Sequence, residues 1–221
     1  MFSTGIPELD EALGGGIRGG KVTLIYGEEK SGKTSLALKV CALAAKKAGQ
    51  AGYVDCSGRL HPQRLLQVLE ANGADPSRVS VSVIGNFLQQ EEIILSLHDK
   101  PPSFPLIIFD DFTYQHRIEL TGDARKDVRV YKRLAFQIAA LKEAASRNRL
   151  AVVVVGQVHT LPDTGEARLV AQRILTYWSD TIIKITKPMS RRCSYAYVEK
   201  PVKVGPIRFE IVDGGVAPCL D

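Results

Sequence analysis

The sequence lacks a long apolar run. None of its hydrophobic stretches approaches the roughly 20 residues that an α-helix needs to cross a bilayer, so we expect neither a transmembrane helix nor a membrane partner. The first residues, MFSTG, have no basic start and no apolar core, which argues against a secretory signal peptide. Internal repeats and low-complexity tracts are also missing. These absences argue against integral membrane, secreted and repeat proteins.

Cysteine is scarce in this chain. No two of the four cysteines lie at the spacing of metal ligands, and they are scattered as Cys41, Cys56, Cys193 and Cys219. We therefore expect no disulfide framework, and we expect a reducing, cytoplasmic environment.

Basic residues outnumber acidic ones only slightly. The chain has 221 residues, of which 45% are hydrophobic and 24% charged, and its formal net charge is +5. This is ordinary globular usage, and a chain of this length can bury a core without disulfides. The charge permits a nucleic-acid partner but does not require one. We predict a single domain over residues 1–221.

Apolar strands and amphipathic helices alternate along the chain. Strands are predicted at residues 22–26, 52–55, 79–84, 106–109 and 150–155, and helices at residues 31–48, 62–71, 87–98 and 128–147. From residue 180 onward, apolar residues recur at every second position, which predicts antiparallel strands at 182–185, 195–199 and 207–212. The pattern predicts an α/β fold, with a mostly parallel central sheet, helices on both faces and antiparallel C-terminal strands.

The strongest chemical signal is the segment GEEKSGKT, at residues 27–34. It matches the phosphate-binding loop G-x-x-x-x-G-K-[S/T] and lies between a predicted strand and a predicted helix. Its backbone N–H groups and the helix dipole favour a nucleotide phosphate. Lys33 would contact the β- and γ-phosphates of ATP, and the Thr34 hydroxyl would hold Mg²⁺. The candidate nucleotide-binding residues are Gly27, Glu28, Glu29, Lys30, Ser31, Gly32, Lys33, Thr34 and Ser35.

Two further strands end in polar residues that suit the same site. Residues 106–109 are followed by Asp110, the Walker B arrangement in which a carboxylate steadies Mg²⁺ through water. The adjacent Asp111 is interpreted as a helix cap or as a second metal-shell group. Gln157 follows the last central strand and is the candidate γ-phosphate sensor. The alternative is that its amide satisfies local backbone.

Residues 4–17, TGIPELDEALGGGI, resemble the opening of RecA-like recombinase cores and of their KaiC-like relatives. Residues 110–114 resemble the Walker B strand and following turn of the recombinase branch. Residues 116–122, HRIELTG, resemble the start of its first DNA-facing loop, and residues 157–158 match its sensor Gln-Val. The resemblance covers nearly the whole chain and implies a RecA-like P-loop NTPase core.

A narrower resemblance concerns how the chain begins. We expect a chain that starts directly at the ATPase core, without the N-terminal domain and polymerisation segment of the archaeal recombinase RadA. It is therefore similar to the core-only archaeal paralogues of RadA. The resemblance implies a nucleoid-associated accessory of DNA repair and homologous recombination with ATP and Mg²⁺ as cofactors. It further implies weak DNA-dependent ATPase activity at most, and as partners single-stranded DNA, a main recombinase of the RadA type and other copies of the chain.

One departure from the recombinase pattern bears on catalysis. RecA-like enzymes carry a Glu shortly after the second strand that polarises the attacking water, whereas here Ser57 stands at that position. A serine hydroxyl is a poor base near neutral pH. Ser57 therefore argues against efficient hydrolysis and not against nucleotide binding.

Clusters of basic residues suggest where DNA would bind. The candidate contacts are Arg117, Arg125, Lys126, Arg191 and Arg192. The alternative interpretation of these clusters is a set of ordinary solvated faces.

Two other classes of function stay open. One is a KaiC-like signalling ATPase without a nucleic-acid role, and the other is an interaction module that uses nucleotide only as a structural clamp. Ser57 favours the clamp, whereas residues 116–122 favour the recombinase.

Overall fold

The computed structural model describes residues 1–100, 102–160, 167–188 and 192–219. Its helices are α1 (Pro7–Ala12), α2 (Lys33–Ala48), α3 (Pro62–Ala71), α4 (Phe87–Asp99), α5 (Tyr114–Glu119), α6 (Ala124–Asn148) and α7 (Gln172–Trp178). Its strands are β1 (Val22–Gly27), β2 (Ala51–Asp55), β3 (Val79–Val83), β4 (Leu106–Asp110), β5 (Ala151–Thr160), β6 (Ala167–Leu169), β7 (Thr181–Thr186), β8 (Ser194–Lys200), β9 (Val204–Val212) and β10 (Gly215–Pro218).

All of these strands belong to one sheet. The strand order is β10-β9-β8-β7-β1-β5-β4-β2-β3, and β6 pairs with β5. The pairings from β7 to β3 are parallel, and those from β7 to β10 are antiparallel. This confirms the predicted fold class. The strand predicted at residues 182–185 is the junction, because β7 pairs in parallel with β1 and antiparallel with β8.

Helices cover both faces of the sheet, which is why the central strands are apolar throughout. Leu24 of β1 packs with residues of α4, α6 and α7 on one face. Its neighbour Ile25 points to the other face and joins α2 and α3. Phe209 and Val216 from the antiparallel strands join that second cluster, so both halves of the sheet share a core. No helix in the described part of the chain combines the length and the apolar character needed to span a bilayer.

Several boundaries differ from the predictions for local reasons. Helix α2 begins at Lys33 instead of residue 31, because Gly32 has a left-handed φ of +107° that ends the loop. Helix α6 begins before residue 128, because the Asp123 side chain accepts a hydrogen bond of 2.9 Å from the Arg125 N–H and caps it. Strand β5 continues to Thr160, so Gln157 lies within it. The short elements α1, α5, α7, β6 and β10 were not predicted.

The expectation of no disulfide is wrong for one pair. Cys193 and Cys219 are bonded, with their Cα atoms 6.1 Å apart. Cys193 directly precedes β8 and Cys219 directly follows β10, and the intervening β9 pairs with both strands. Sequence spacing could not reveal this pairing, because the antiparallel register brings the two residues together. Cys41 and Cys56 are buried free thiols.

Candidate nucleotide-binding site

The phosphate loop joins β1 to α2. Its first glycine, Gly27, lies so close to the carbonyl oxygen of Ile185 on β7 that a Cβ would clash with it. Gly32, at the other end, faces the Phe209 ring, which an added Cβ would approach to 3.1 Å. Ser31 Oγ is buried within the loop and has no hydrogen-bond partner among the described residues. The loop is therefore a tight cradle before the first turn of a 16-residue helix, an arrangement that suits an anion.

A cavity of about 440 Å³ opens beside the loop. It lies at the carboxyl edge of the parallel strands, where ligands bind in open α/β sheets. Its walls include the polar side chains predicted for the site and others that were not predicted. The lining residues are Glu29, Lys30, Gly32, Lys33, Thr34, Ser35, Tyr53, Asp55, Ser57, Arg59, Leu60, Asp110, Asp111, Tyr114, Gln157, Lys187 and Ile211. Gly27, Glu28 and Ser31 belong to the loop but do not line the cavity.

Lys33 is held at the mouth of the loop. Its Nζ donates a hydrogen bond of 2.6 Å to the Glu28 carbonyl oxygen, across the loop. Burial lowers the pKa of Lys33, although Asp111 and Asp110 favour its charged form. A phosphate oxygen in the cavity would replace solvation that this ammonium group has lost.

Asp110 is a buried carboxylate at the end of β4. The Tyr53 hydroxyl donates to its Oδ2 at 2.7 Å. Burial raises the pKa of Asp110 to about 6, even though hydrogen bonds from Tyr53 and Thr34 favour the charged form. A cation beside this group would stabilise its ionised form.

The donors suit Mg²⁺ but do not enclose it. The Thr34 hydroxyl is a hard oxygen ligand, the type that Mg²⁺ prefers, and the Asp110 carboxylate would steady the ion through water. Across the described ranges there is no group of three or more His, Cys, Asp or Glu side chains that could hold a metal ion. Mg²⁺ would therefore complete its shell with water and phosphate oxygens, as it commonly does in phosphoryl-transfer sites.

Asp111 joins a cluster at the far end of the cavity. Its Oδ1 accepts hydrogen bonds from the Thr113 backbone N–H at 3.0 Å and the Thr113 hydroxyl at 2.6 Å, which fixes the turn before α5. Its Oδ2 forms an ion pair of 3.2 Å with Arg117. The same Arg117 nitrogen donates to Gln157 Oε1 at 2.9 Å. Asp111 therefore fixes the turn before α5 and takes a place in the cavity wall, but it does not cap α5, whose N-cap residue is Thr113; Gln157 binds a side chain instead of local backbone.

The loop after β2 contains Ser57. The Asp55 carboxylate organises this loop by accepting hydrogen bonds from the N–H groups of Ser57, Gly58 and Leu60 at 3.0, 2.9 and 2.8 Å. The Ser57 hydroxyl also donates to it, at 3.1 Å. Ser57 lines the cavity, but its hydroxyl is engaged by Asp55.

The family follows from comparison with known proteins. A model of the Rad51 family matches residues 1–199. The chain belongs to the Rad51 family. It is similar to the DNA repair and recombination protein RadB of Thermococcus gammatolerans, with 33% identity over 229 residues and 100% of both chains covered. RadB of Halobacterium salinarum is 34% identical over 226 residues, covering 96% of this chain and 93% of the relative.

A solved structure supports the same assignment. The crystal structure described as the RadB recombinase matches with a TM-score of 0.81 and 30% identity, and 100% of each chain is covered. The predicted resemblance to RecA-like recombinases of the RadB type is thereby confirmed.

The described basic residues that were predicted to contact DNA lie on different elements of this Rad51-family chain. Arg125 and Lys126 are exposed on the first turn of α6. Arg192 is exposed beside β8 and forms an ion pair of 2.6 Å with Glu210. Arg117 contacts Asp111 and Gln157, which line the nucleotide cavity, and Arg191 lies outside the described residues.

Sequence reasoning missed three functional candidates. Tyr53 on β2 donates to Asp110, Arg59 follows the Asp55 turn, and Lys187 follows β7. Of these three, only Arg59 could have been found from the sequence, because it lies two residues after Ser57, where the chain departs from the recombinase pattern. The other two reach the cavity through the strand order, which no local pattern encodes.

Replacing the buried carboxylate should change how stability responds to pH. Because the folded-state pKa of Asp110 is raised to about 6, the folded protein holds this proton more tightly than the unfolded chain does. Its stabilising contribution is full below about pH 4 and is lost as the pH rises through 6. The free energy of unfolding of Asp110→Asn, taken relative to that of wild type, should therefore rise by on the order of 2 kcal/mol between pH 4 and 7. Urea unfolding of both proteins in EDTA measures this gain, and a constant difference across the range would contradict it.

Proposed function

We propose that this Rad51-family protein binds ATP with Mg²⁺ and acts in DNA repair and homologous recombination. It binds DNA, preferentially single-stranded, and modulates a main recombinase of the RadA type, with weak ATPase activity of its own. The observation that carries the proposal is the cavity beside the phosphate loop, which brings Lys33, Thr34, Asp110 and Gln157 together. The RadB names of the relatives support the place in recombination.

The phosphate loop performs the binding. Its backbone N–H groups surround the phosphates, and Lys33 supplies the charge. Thr34 would hold Mg²⁺ directly and Asp110 would hold it through water, and the bound ion would neutralise phosphate charge. Gln157 senses the γ-phosphate, since its register partner across the sheet is Gly27, the first residue of the loop.

Removing the loop lysine should weaken nucleotide binding without unfolding the protein. Lys33→Ala deletes a charged hydrogen bond, so ADP affinity should fall by about tenfold or more. The matched control is Lys46→Ala, an exposed lysine in the last turn of the same helix, which should bind ADP like wild type. Calorimetric titration gives both constants. Equal affinity of Lys33→Ala and wild type would reject the site.

The start of α6 is the best-supported DNA surface. Arg125, Lys126 and Arg129 are exposed on its first turns. The preceding loop is fixed to the helix, because the Asp127 carboxylate accepts hydrogen bonds from the Thr121 hydroxyl at 2.9 Å and from the Gly122 N–H at 3.0 Å. These cations therefore project from an ordered element. Binding through them would be electrostatic and would have little sequence preference.

Neutralising two of these cations should change the salt dependence of DNA binding. Each contact to a single strand contributes a slope of about −0.7 to log affinity against log salt, so Arg125→Gln with Lys126→Gln should flatten the slope by roughly 1.4. The control is Lys46→Gln with Lys47→Gln, which removes the same charge from α2 on the opposite face of the sheet. Fluorescence anisotropy across a salt series measures the slope. An identical slope in the two double variants would remove α6 from the interface.

Turnover is expected to be slow, because no carboxylate stands at position 57 and the nearby Asp55 is engaged by its own loop. Ser57→Glu should either raise the rate of single-turnover ATP cleavage, by up to about 10²- to 10⁴-fold, or leave this rate unchanged. Ser57→Ala should change the rate little. The assay is run with and without single-stranded DNA. A fast wild-type rate that is lost in Ser57→Ala would show that Ser57 is itself catalytic.

A further inference from the structure

A second cavity of about 390 Å³ adjoins the nucleotide cavity. It is lined by Glu29, Arg59, Tyr114, Arg117, Ile118 and Gln157. Four of these residues also line the nucleotide cavity, all except Arg117 and Ile118. The two spaces therefore meet beside Gln157, at the end of the site that holds the γ-phosphate sensor.

Two arginines converge on one aromatic ring in this space. The guanidinium carbon of Arg59 lies 5.2 Å from the Tyr114 ring centroid, and that of Arg117 lies 5.6 Å from it. Both distances are within the range of a cation–π contact. Two like charges beside one ring repel each other, so an anion close to both guanidinium groups would stabilise the arrangement.

The arginines have more positive charge than their partners neutralise. Arg117 is paired with Asp111, but both of its hydrogen bonds to Asp111 and Gln157 use the same nitrogen, Nη2. Its Nε is buried and has no hydrogen-bond partner among the described residues. Arg59 is exposed and forms no ion pair within the part of the chain described, and Glu29 on the same wall pairs with neither arginine there.

An unpaired buried N–H group destabilises a protein unless an acceptor reaches it. A phosphate group offers several acceptor oxygens, and the planar guanidinium fork matches its geometry. The backbone of Arg59 and the side chain of Arg117 are also positioned before any ligand binds. The Asp55 hydrogen bonds fix the loop that carries Arg59, and the Asp111 ion pair fixes Arg117. Little backbone freedom would therefore be lost on binding, although the exposed Arg59 side chain would still be ordered.

We propose that Arg59 and Arg117 form a subsite for a terminal phosphate group. The occupant is the γ-phosphate of bound ATP or the orthophosphate beside bound ADP. The subsite rests on the proposed nucleotide site and adds to it a means of distinguishing triphosphate from diphosphate.

The test compares ADP with an ATP analogue whose β–γ bridge cannot be hydrolysed, titrated with Mg²⁺ into the full chain by calorimetry. Arg59→Gln and Arg117→Gln should each weaken analogue binding by about tenfold, the loss expected for one charged hydrogen bond, and leave ADP affinity within twofold of wild type. Arg18→Gln, an exposed arginine outside both cavities, should change neither affinity. Because Arg59 is exposed and unpaired with any described carboxylate, its variant tests the proposal even if Arg117→Gln fails to fold.

A second titration separates the two sources of phosphate. Orthophosphate added to the ADP complex should bind to wild type more tightly than to either arginine variant if the subsite takes free phosphate. Analogue discrimination without orthophosphate binding would assign the subsite to the γ-phosphate alone.

Three results would overturn the subsite. In the first, ADP and analogue affinities fall together or neither falls. In the second, the arginine variants lose affinity for single-stranded DNA and keep the preference for the analogue, which would assign these arginines to DNA. In the third, wild type binds neither nucleotide, which would reject the proposed nucleotide site and the subsite with it.

Discussion

The parallel pairing of the central strands determines where every functional side chain lies. The register of β1 with β5 places Gly27 level with Gln157, and that of β2 with β4 places Asp55 level with Asp110. Parallel strands of one sheet end at the same edge, so residues far apart in sequence meet there. A slip of one residue in any pair would turn its polar residue to the opposite face and dismantle the cavity.

The sequence predicted the parts of this arrangement that are local. The phosphate loop has its spacing within eight residues, and Asp110 follows an apolar strand that is recognisable by itself. Their proximity followed from the general rule that ligands bind at the carboxyl ends of the strands in α/β sheets. The role of Tyr53 could not be predicted, because a tyrosine within an apolar run indicates only that the run forms a strand. Its hydroxyl matters because the register carries it to Asp110.

Arg117 and the disulfide are two further features whose contacts could not be predicted from the sequence. Sequence resemblance placed Arg117 at the start of a DNA-facing loop, but its side chain folds back to Asp111 and Gln157 across α5 and β5. Cys193 and Cys219 are 26 residues apart, and only the pairing of β8, β9 and β10 brings them together. In each case the deciding contact joins separate strands or helices. Local periodicity carries no information about such contacts.

The loop after β2 explains how binding and cleavage could be separated in this protein. Its turn is built around the Asp55 carboxylate, and Ser57 adds one hydrogen bond to that turn. The turn places Ser57 at the cavity, where a RecA-like enzyme would carry a carboxylate, and two residues later it places a cation, Arg59. A carboxylate orients and activates water, whereas a guanidinium stays protonated near neutral pH and cannot act as a base. In the proposed nucleotide site, a loop that offers a cation and no carboxylate at position 57 would bind phosphate but would lack the group that activates water, which is the physical basis for the slow turnover proposed above.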